Sequence, residues 1–369
     1  MIICTSICAN YLPKALVLAK SVKKYIKDAT FVVSLVEKEI PQYVRQHEEF
    51  DYVVLGKELG FDNFDRFIFK HSIVEASTAV KGQLFRYLYE KFPEEEQFVY
   101  LDPDIRVYDD FIQLKELLKT RPIILCPHLL EPGNIDMELS STAHGVYNLG
   151  FLAVNRDEEA QKFINWWADR LYLFCYDDIL KGIFTDQKWI DLAPCFFDVE
   201  IFKHKGYDFA TWSLMNSDVK EKEGKIFIGN DPLRFIHFSG YDSGTIDWAI
   251  DKWLPNKENN PFVELYKTYS KEMDDAGQNE MGKHPWGYQF YASGEKIENK
   301  IRNAYRENYD VQFSIENPFE YSNEWFSSRL EITMSLEKNK SNMSKAIYIL
   351  KNEGIIVLLK KIFRILFKK

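Results

Sequence analysis

YLDPDIRVY, residues 100–108, is the stretch on which the fold turns. It continues an apolar run, QFVYL (97–101), that halts at Asp102-Pro103-Asp104. A short apolar run of this kind, bounded by a turn signal, reads as a strand buried on both faces. Two carboxylates one residue apart at the end of such a strand offer oxygens from a rigid base. Hard divalent cations take oxygen ligands, so Asp102 and Asp104 are candidate metal ligands.

Working back toward the N-terminus, the pattern alternates. Met1–Ile7, Thr30–Val36 and Tyr52–Leu55 read as buried strands. Pro13–Tyr25 has helical spacing, with Leu16, Ala19, Val22 and Ile26 on one side, and Pro41–Phe50 reads as a connecting helix. This β-α-β-α-β order predicts an α/β class with a mostly parallel sheet covered on both faces. Such sheets bind ligands at the carboxyl ends of their strands. Ile73–Lys91 reads as one longer helical stretch. Forward from the motif, PIILC (122–126) and GVYNLGFLAVN (145–155) read as strands and Glu158–Leu173 as a helix. Strands are expected between Asp208 and Ser239, with turns at Gly224 and Asn230-Asp231.

The 369 residues suit one large domain with additions, or two domains. A formal net charge of −9 argues against nonspecific nucleic-acid binding, which needs a basic surface. The five cysteines, Cys4, Cys8, Cys126, Cys175 and Cys195, form no C-x-x-C pair and read as reduced, mostly buried thiols of a cytosolic protein. The N-terminus lacks the charge, run and cleavage pattern of a signal peptide, and no apolar run is long enough to predict a transmembrane helix. The polar stretch DKWLPNKENNPF (251–262) marks a soft boundary. The expected organisation is therefore a domain at 1–250, a partly helical extension at 251–340 and a terminal segment at 341–369. Within that segment IIVLLKKIFRILFKK (355–369) has ten apolar and five basic residues. On a helical wheel Lys360, Lys361, Arg364 and Lys368 share one face, the signature of a helix lying on an anionic membrane surface.

Taken in order, several segments resemble the GT-A fold glycosyltransferases, in particular glycosyltransferase family 8 and its bacterial relatives. The resemblance covers roughly residues 1–245 and rests on Ala9-Asn10-Tyr11, LFRYLY (84–89), the D-x-D at 102–104, YNLGFLAVN (147–155), TDQ (185–187) and HFSG (237–240). It implies a Rossmann-like nucleotide-diphospho-sugar transferase fold with a mixed or helical C-terminal extension. It also implies an activity, transfer of a sugar from a nucleotide-sugar, UDP-linked by the same resemblance. Asn10 and Tyr11, with Thr5 of the first strand, are then expected at the nucleotide, and Arg86, Asn148 and Gly240 at the donor. Asp186 is expected to hold donor hydroxyls, and Gln187 to sit beside the anomeric carbon. His237 is the implied third protein ligand, beside Asp102 and Asp104, of Mn2+ or Mg2+. The family places a lysine shortly after H-x-x-G, where this chain has Tyr241-Asp242-Ser243-Gly244; Lys81 or Arg86 is the expected substitute.

Retention of configuration is the implied stereochemistry. The acceptor is expected to be a glycan or lipid-linked molecule of bacterial surface polysaccharide or glycolipid assembly; the basic tail suggests that it is met at the inner face of the cell membrane. Two other readings stand beside this one. A nucleotidyltransferase uses similar metal–phosphate chemistry, but CTSICANYLPK (4–14) lacks the glycine-rich phosphate loop. A non-catalytic, membrane-associated protein on a degenerate transferase fold is the other.

Overall fold

The computed structural model describes residues 1–254 and 257–330. The terminal basic segment, predicted to lie on a membrane, falls outside the described residues. The chain divides into two compact units, Met1–Phe290 and one that begins at Tyr291. The boundary expected at 250 thus falls inside the first unit. The reason is packing: Phe262, Tyr269 and Met273 of the Pro261–Asp275 helix share a buried apolar cluster with Ile236, Phe238 and Ile250.

The first unit is built on a mixed seven-stranded sheet. Its strands are β1 (Ile2–Ile7), β2 (Thr30–Leu35), β3 (Tyr52–Leu55), β4 (Gln97–Leu101), β6 (Ile123–Leu125), β7 (Phe151–Asn155) and β8 (Val199–Ile201), in the order β8-β6-β7-β4-β1-β2-β3. Neighbours are parallel except that β7 runs against both β4 and β6. The central strands β1, β4 and β7 are buried almost throughout, as their continuous apolar sequences require. A second, three-stranded sheet comprises β5 (Ile105–Val107), β9 (Phe209–Ala210) and β10 (Phe235–His237), in the order β9-β10-β5. It is this small sheet that carries the end of the D-x-D segment to the histidine.

Three predicted elements come out differently. The 73–91 stretch is two helices, Ile73–Ala79 and Lys81–Lys91. Ser72 caps the first, its side chain accepting from the Glu75 amide while Glu75 bonds back to the Ser72 amide. Only Gln42–Arg45 is helical between β2 and β3. In GVYNLGFLAVN only Phe151–Asn155 is strand, because Asn148 turns its side chain back onto the Gly150 amide. The expected turn at Gly224 is a tight hairpin between Val219–Lys222 and Lys225–Ile228, with Glu223 and Gly224 both at positive φ.

Two packing features set the site's floor. The Lys81–Lys91 helix lies so close to the Glu158–Phe174 helix that a Cβ on Gly82 would sit 2.6 Å from the Ala168 Cα. Trp167, fully buried on the second helix, donates its indole N–H to the Asp186 carbonyl at 3.1 Å. Elsewhere, the buried Glu37 accepts from the amides of Ala9 and Gly287, both at 2.9 Å, and so ties the turn after β1 to the Trp286–Gly287 segment.

The second unit is small and helical over its described part, with helices Asn299–Glu307, Tyr309–Ser314 and Asn323–Ser327. Its buried Asn323 accepts from Tyr291 Oη and donates to Glu295 Oε1 and the Lys296 carbonyl. Among the described residues no helix is long and apolar enough to cross a membrane. Cys4, Cys8, Cys126 and Cys175 are buried free thiols, and Cys195 is exposed.

Candidate active site

Asp102 and Asp104 flank the turn between β4 and β5, and the β5–β10 pairing sets Ile105 opposite His237. The Phe238 amide closes the turn by donating to the Asp104 carbonyl at 2.9 Å. Backbone pairing therefore brings together side chains 133 residues apart, from Asp104 to His237. His237 Nε2 lies 3.1 Å from Asp104 Oδ1 and 3.8 Å from Asp102 Oδ2, and one ligand atom from each of the three residues falls within 4.8 Å of the others.

This cluster fits a divalent cation. The donor set is two carboxylate oxygens and one imidazole nitrogen, which suits Mn2+ and, less selectively, Mg2+. The other oxygen of Asp102, Oδ1, is occupied from behind by Tyr100 Oη at 3.0 Å and Lys81 Nζ at 3.1 Å. Oδ2 is thereby left to face His237. Gly150 makes room for the imidazole, since a Cβ there would sit 2.4 Å from His237 Cε1. Burial opposes a proton on His237, but Asp104 and Asp208 outweigh it and push its pKa up to about 10. Burial likewise opposes ionisation of Asp104, yet His237 and Lys14 hold it down at about 2. Both shifts describe carboxylates crowded around a cationic position.

The cluster lies in the wall of a cleft of about 1030 Å³ at the carboxyl ends of β1 and β4. Asn10, Tyr11, Lys81, Asn148, Asp186 and Gln187 also line it. Lys81 is buried and sits 2.8 Å from Asp186 Oδ2, 2.9 Å from the Leu149 carbonyl and 4.3 Å from the Tyr100 ring centre. Burial lowers a lysine's pKa, but here Asp102 and Asp186 dominate and raise it. Lys81 is thus a structural counter-charge that joins a metal-ligand candidate to Asp186. Asp186 also accepts from Thr185 Oγ1 at 3.1 Å, and burial raises its carboxyl above the usual range. Thr185 carries a φ of +42°, a conformation that β-branched residues adopt only under constraint. The Gln187 amide is fixed between the His144 carbonyl, to which Nε2 donates at 3.0 Å, and the Leu149 amide at 3.5 Å from Oε1.

Not every expected residue reaches the cleft. Thr5 is fully buried within β1 and does not line the wall. Arg86 points onto the Glu158–Phe174 helix, where it bonds Asn165 and pairs with Asp169 at 2.8 Å. Five residues beyond Lys81, it projects about 140° further round the helix, away from the cleft and onto the neighbouring helix. Gly240 lies at φ +84° packed against Thr245, and Ser239 and Asp242 line the cleft in its stead.

Other residues enter unannounced. Lys283 lines the cleft near Gln278 and Asn279. It is separated from His237 by the Thr245–Trp253 and Pro261–Asp275 helices, which masked it in the sequence. The Lys283-His284-Pro285-Trp286 order was the available signal, since Trp286 anchors this segment by donating to the Val36 carbonyl at 2.9 Å. Lys14, buried, pairs with Asp242 and lies 3.9 Å from the Tyr11 ring centre. Asp208, buried at φ +50°, sets Oδ1 3.5 Å from His237 Nδ1. His128 and Trp212 complete the wall around His237.

Against known proteins, residues 2–165 match the model of Glycosyl transferase family 8. Over those residues the chain is similar to that family. The mixed α/β sheet with its D-x-D turn agrees with the GT-A fold that the motifs imply. Over 154 residues the chain is 27% identical to the uncharacterised protein YfnD of Bacillus subtilis, matching 41% of this chain and 49% of that protein. The chain thus spans about half the length of that relative. Among solved structures, the galactosyltransferase LgtC in complex with donor and acceptor sugar analogs aligns over 74% of this chain and 96% of its own, at 15% identity and a TM-score of 0.45. The glycosyltransferase GlyE of Streptococcus pneumoniae aligns over 79% of this chain and 66% of its own, at 14% identity and a TM-score of 0.39.

Proposed function

We propose that this protein is a metal-dependent glycosyltransferase that moves a sugar from a nucleotide-sugar, UDP-linked by family resemblance, to a glycan or lipid-linked acceptor. The observation that carries the reading is the Asp102–Asp104–His237 cluster opening into a cleft shared with Asp186 and Gln187. Asp102, Asp104 and His237 would hold Mn2+ or Mg2+, which when bound supplies positive charge to a diphosphate.

The chain's own residues do the rest. Asn10 and Tyr11 border the nucleotide end of the cleft. Lys283 brings positive charge to the cleft wall, in place of the lysine the family sets just after H-x-x-G, while Lys14, buried and paired with Asp242, acts from behind that wall. Lys81 is committed to Asp102 and Asp186 and acts from behind them. Asp186 holds donor hydroxyls, and Gln187, its amide fixed at both ends, presents a dipole to the reacting carbon. In the reaction the bond from the anomeric carbon to the phosphate oxygen breaks and a bond to the acceptor oxygen forms. With retention the acceptor enters on the departing side, and its hydroxyl proton passes to the leaving phosphate oxygen. Positioned groups of this kind act by stabilising charge that grows in the transition state.

The basic amphipathic stretch 355–369 supports a place on the inner membrane face, where lipid-linked acceptors of surface-glycan assembly lie. Equal binding to anionic liposomes by the full chain and a chain ending at Lys340 would remove that element. The central test is thermal stabilisation by UDP, GDP, CDP and dTDP, each with Mn2+ and with EDTA. Ligand binding to the native state raises stability with the logarithm of ligand concentration over Kd. One nucleotide stabilising only with metal, and not in Asp104→Ala, is the expected result. Stabilisation by none of them removes the donor site and favours the non-catalytic reading. Product-anomer NMR tests retention.

A further inference from the structure

We infer that His128 and Asn148 form a hydrogen-bond relay that fixes the proton of His237 on Nδ1 and turns its Nε2 lone pair toward Asp102 and Asp104. Both are then positioning residues for the metal ligand. The inference rests on the metal reading above and gives Asn148 a role other than donor contact.

The direction of the relay follows from one backbone group. The Gly150 amide can only donate, and it donates to Asn148 Oδ1 at 2.9 Å. That orients the whole side-chain amide. Oδ1 also lies 3.2 Å from His237 Nδ1, and an amide oxygen only accepts, so His237 donates from Nδ1. Nδ2, at the other end, lies 3.1 Å from His128 Nε2. An amide nitrogen only donates, so His128 Nε2 accepts and its proton sits on Nδ1. There the Val146 carbonyl stands 3.3 Å away to receive it. Four contacts thus admit one self-consistent arrangement, running from a main-chain carbonyl to the candidate metal ligand.

The surroundings hold the chain in place. Asn148 and His237 are buried, and the rings of His128 and His237 both meet Trp212 edge-on, at 5.0 and 5.7 Å between centres. Asp208 Oδ1 stands on the same side of His237, 3.5 Å from Nδ1, so both acceptors face that nitrogen and the carboxylates of the cluster face Nε2. Partners of this kind fix the tautomer and ring orientation of a metal-bound histidine, and their loss typically weakens metal binding by about 10- to 100-fold.

The test uses the full chain and three readings. Mn2+ affinity, measured by electron paramagnetic resonance, is compared in wild type, His128→Phe and His128→Gln. Phenylalanine keeps a ring but removes the acceptor; the glutamine carbonyl restores one. The expected result is binding weakened by about 10- to 100-fold in His128→Phe and largely recovered in His128→Gln. Ring nitrogen NMR on the wild type gives a reading that needs no variant to fold: His128 must carry its proton on Nδ1, with Nε2 bare. In the Mg2+-loaded protein the His237 Nδ1–H signal must resist solvent exchange. A His128 proton on Nε2, or unchanged Mn2+ affinity in a folded His128→Phe, overturns the relay alone. Absence of Mn2+ binding in the wild type overturns the metal reading and the relay with it.

Discussion

Lys81→Met probes the charge arrangement on which the candidate site depends. The substitution keeps most of the side-chain volume and removes one buried cation. Lys81 lies 3.1 Å from Asp102 Oδ1 and 2.8 Å from Asp186 Oδ2, and its side chain and that of Asp186 are 2% and 4% exposed. Removing one partner from a buried ion pair typically costs about 3–5 kcal/mol, because the remaining charge stays buried and uncompensated. That range applies chiefly to Asp186, since Asp102 is 27% exposed and partly screened. Urea unfolding followed by tryptophan fluorescence measures the loss. Asp186→Asn on the same background removes the stranded charge, so the double variant should recover part of it, with a coupling of about 0.5–3 kcal/mol.

The loss should also depend on pH in a defined sense. Burial already raises the Asp186 carboxyl, and without Lys81 it rises further. An acid whose folded pKa exceeds its unfolded value contributes stability that is complete below the unfolded pKa and is lost as pH climbs through the folded one. The Lys81→Met deficit should therefore be smallest below about pH 4 and grow toward neutrality. A deficit under about 1 kcal/mol at neutral pH, or a cycle with no coupling, refutes the counter-charge role.

Other consequences are open to measurement. Gly150→Ala puts a methyl 2.4 Å from His237 Cε1, so calorimetry should show Mn2+ binding lost at a stability cost of about 1–3 kcal/mol. Arg86→Ala should leave kcat/KM for any donor unchanged and lower stability by at most about 1 kcal/mol, since Arg86 pairs with Asp169 outside the cleft wall. Lys70 is 5% exposed, and burial lowers its pKa from 10.5 to about 8. The unfolded chain then binds the extra proton, so stability relative to Lys70→Met should rise by roughly 3 kcal/mol as pH climbs through that window, as urea midpoints would report.

Local chemistry alone determined a good deal here. An apolar run ending in Asp102-Pro103-Asp104 must be a buried strand issuing into a turn, because backbone periodicity and burial are written over a few neighbouring residues. The same locality made β1, β2 and the Glu158–Phe174 helix legible, and the ordered motifs carried the family resemblance. Tertiary structure decided what depends on residues distant in sequence. Asn148 was visible as part of a motif and its bond to Gly150 is local, but its bonds to His128 and His237 exist only in the folded chain. Lys81 and Arg86 sit on one short helix, and only the packing of that helix against its neighbour, close enough at Gly82 to touch Ala168, decides that the first meets the site and the second Asp169. Lys283 reaches the cleft because Trp286 and Glu37 pin its segment to the end of β2. Asp208 gave no periodic signal at all, since a single carboxylate held at positive φ acquires its meaning from the imidazole 3.5 Å away. Short-range periodicity sets the elements, whereas a site is defined by the meeting of side chains that only the folded chain brings within hydrogen-bond reach.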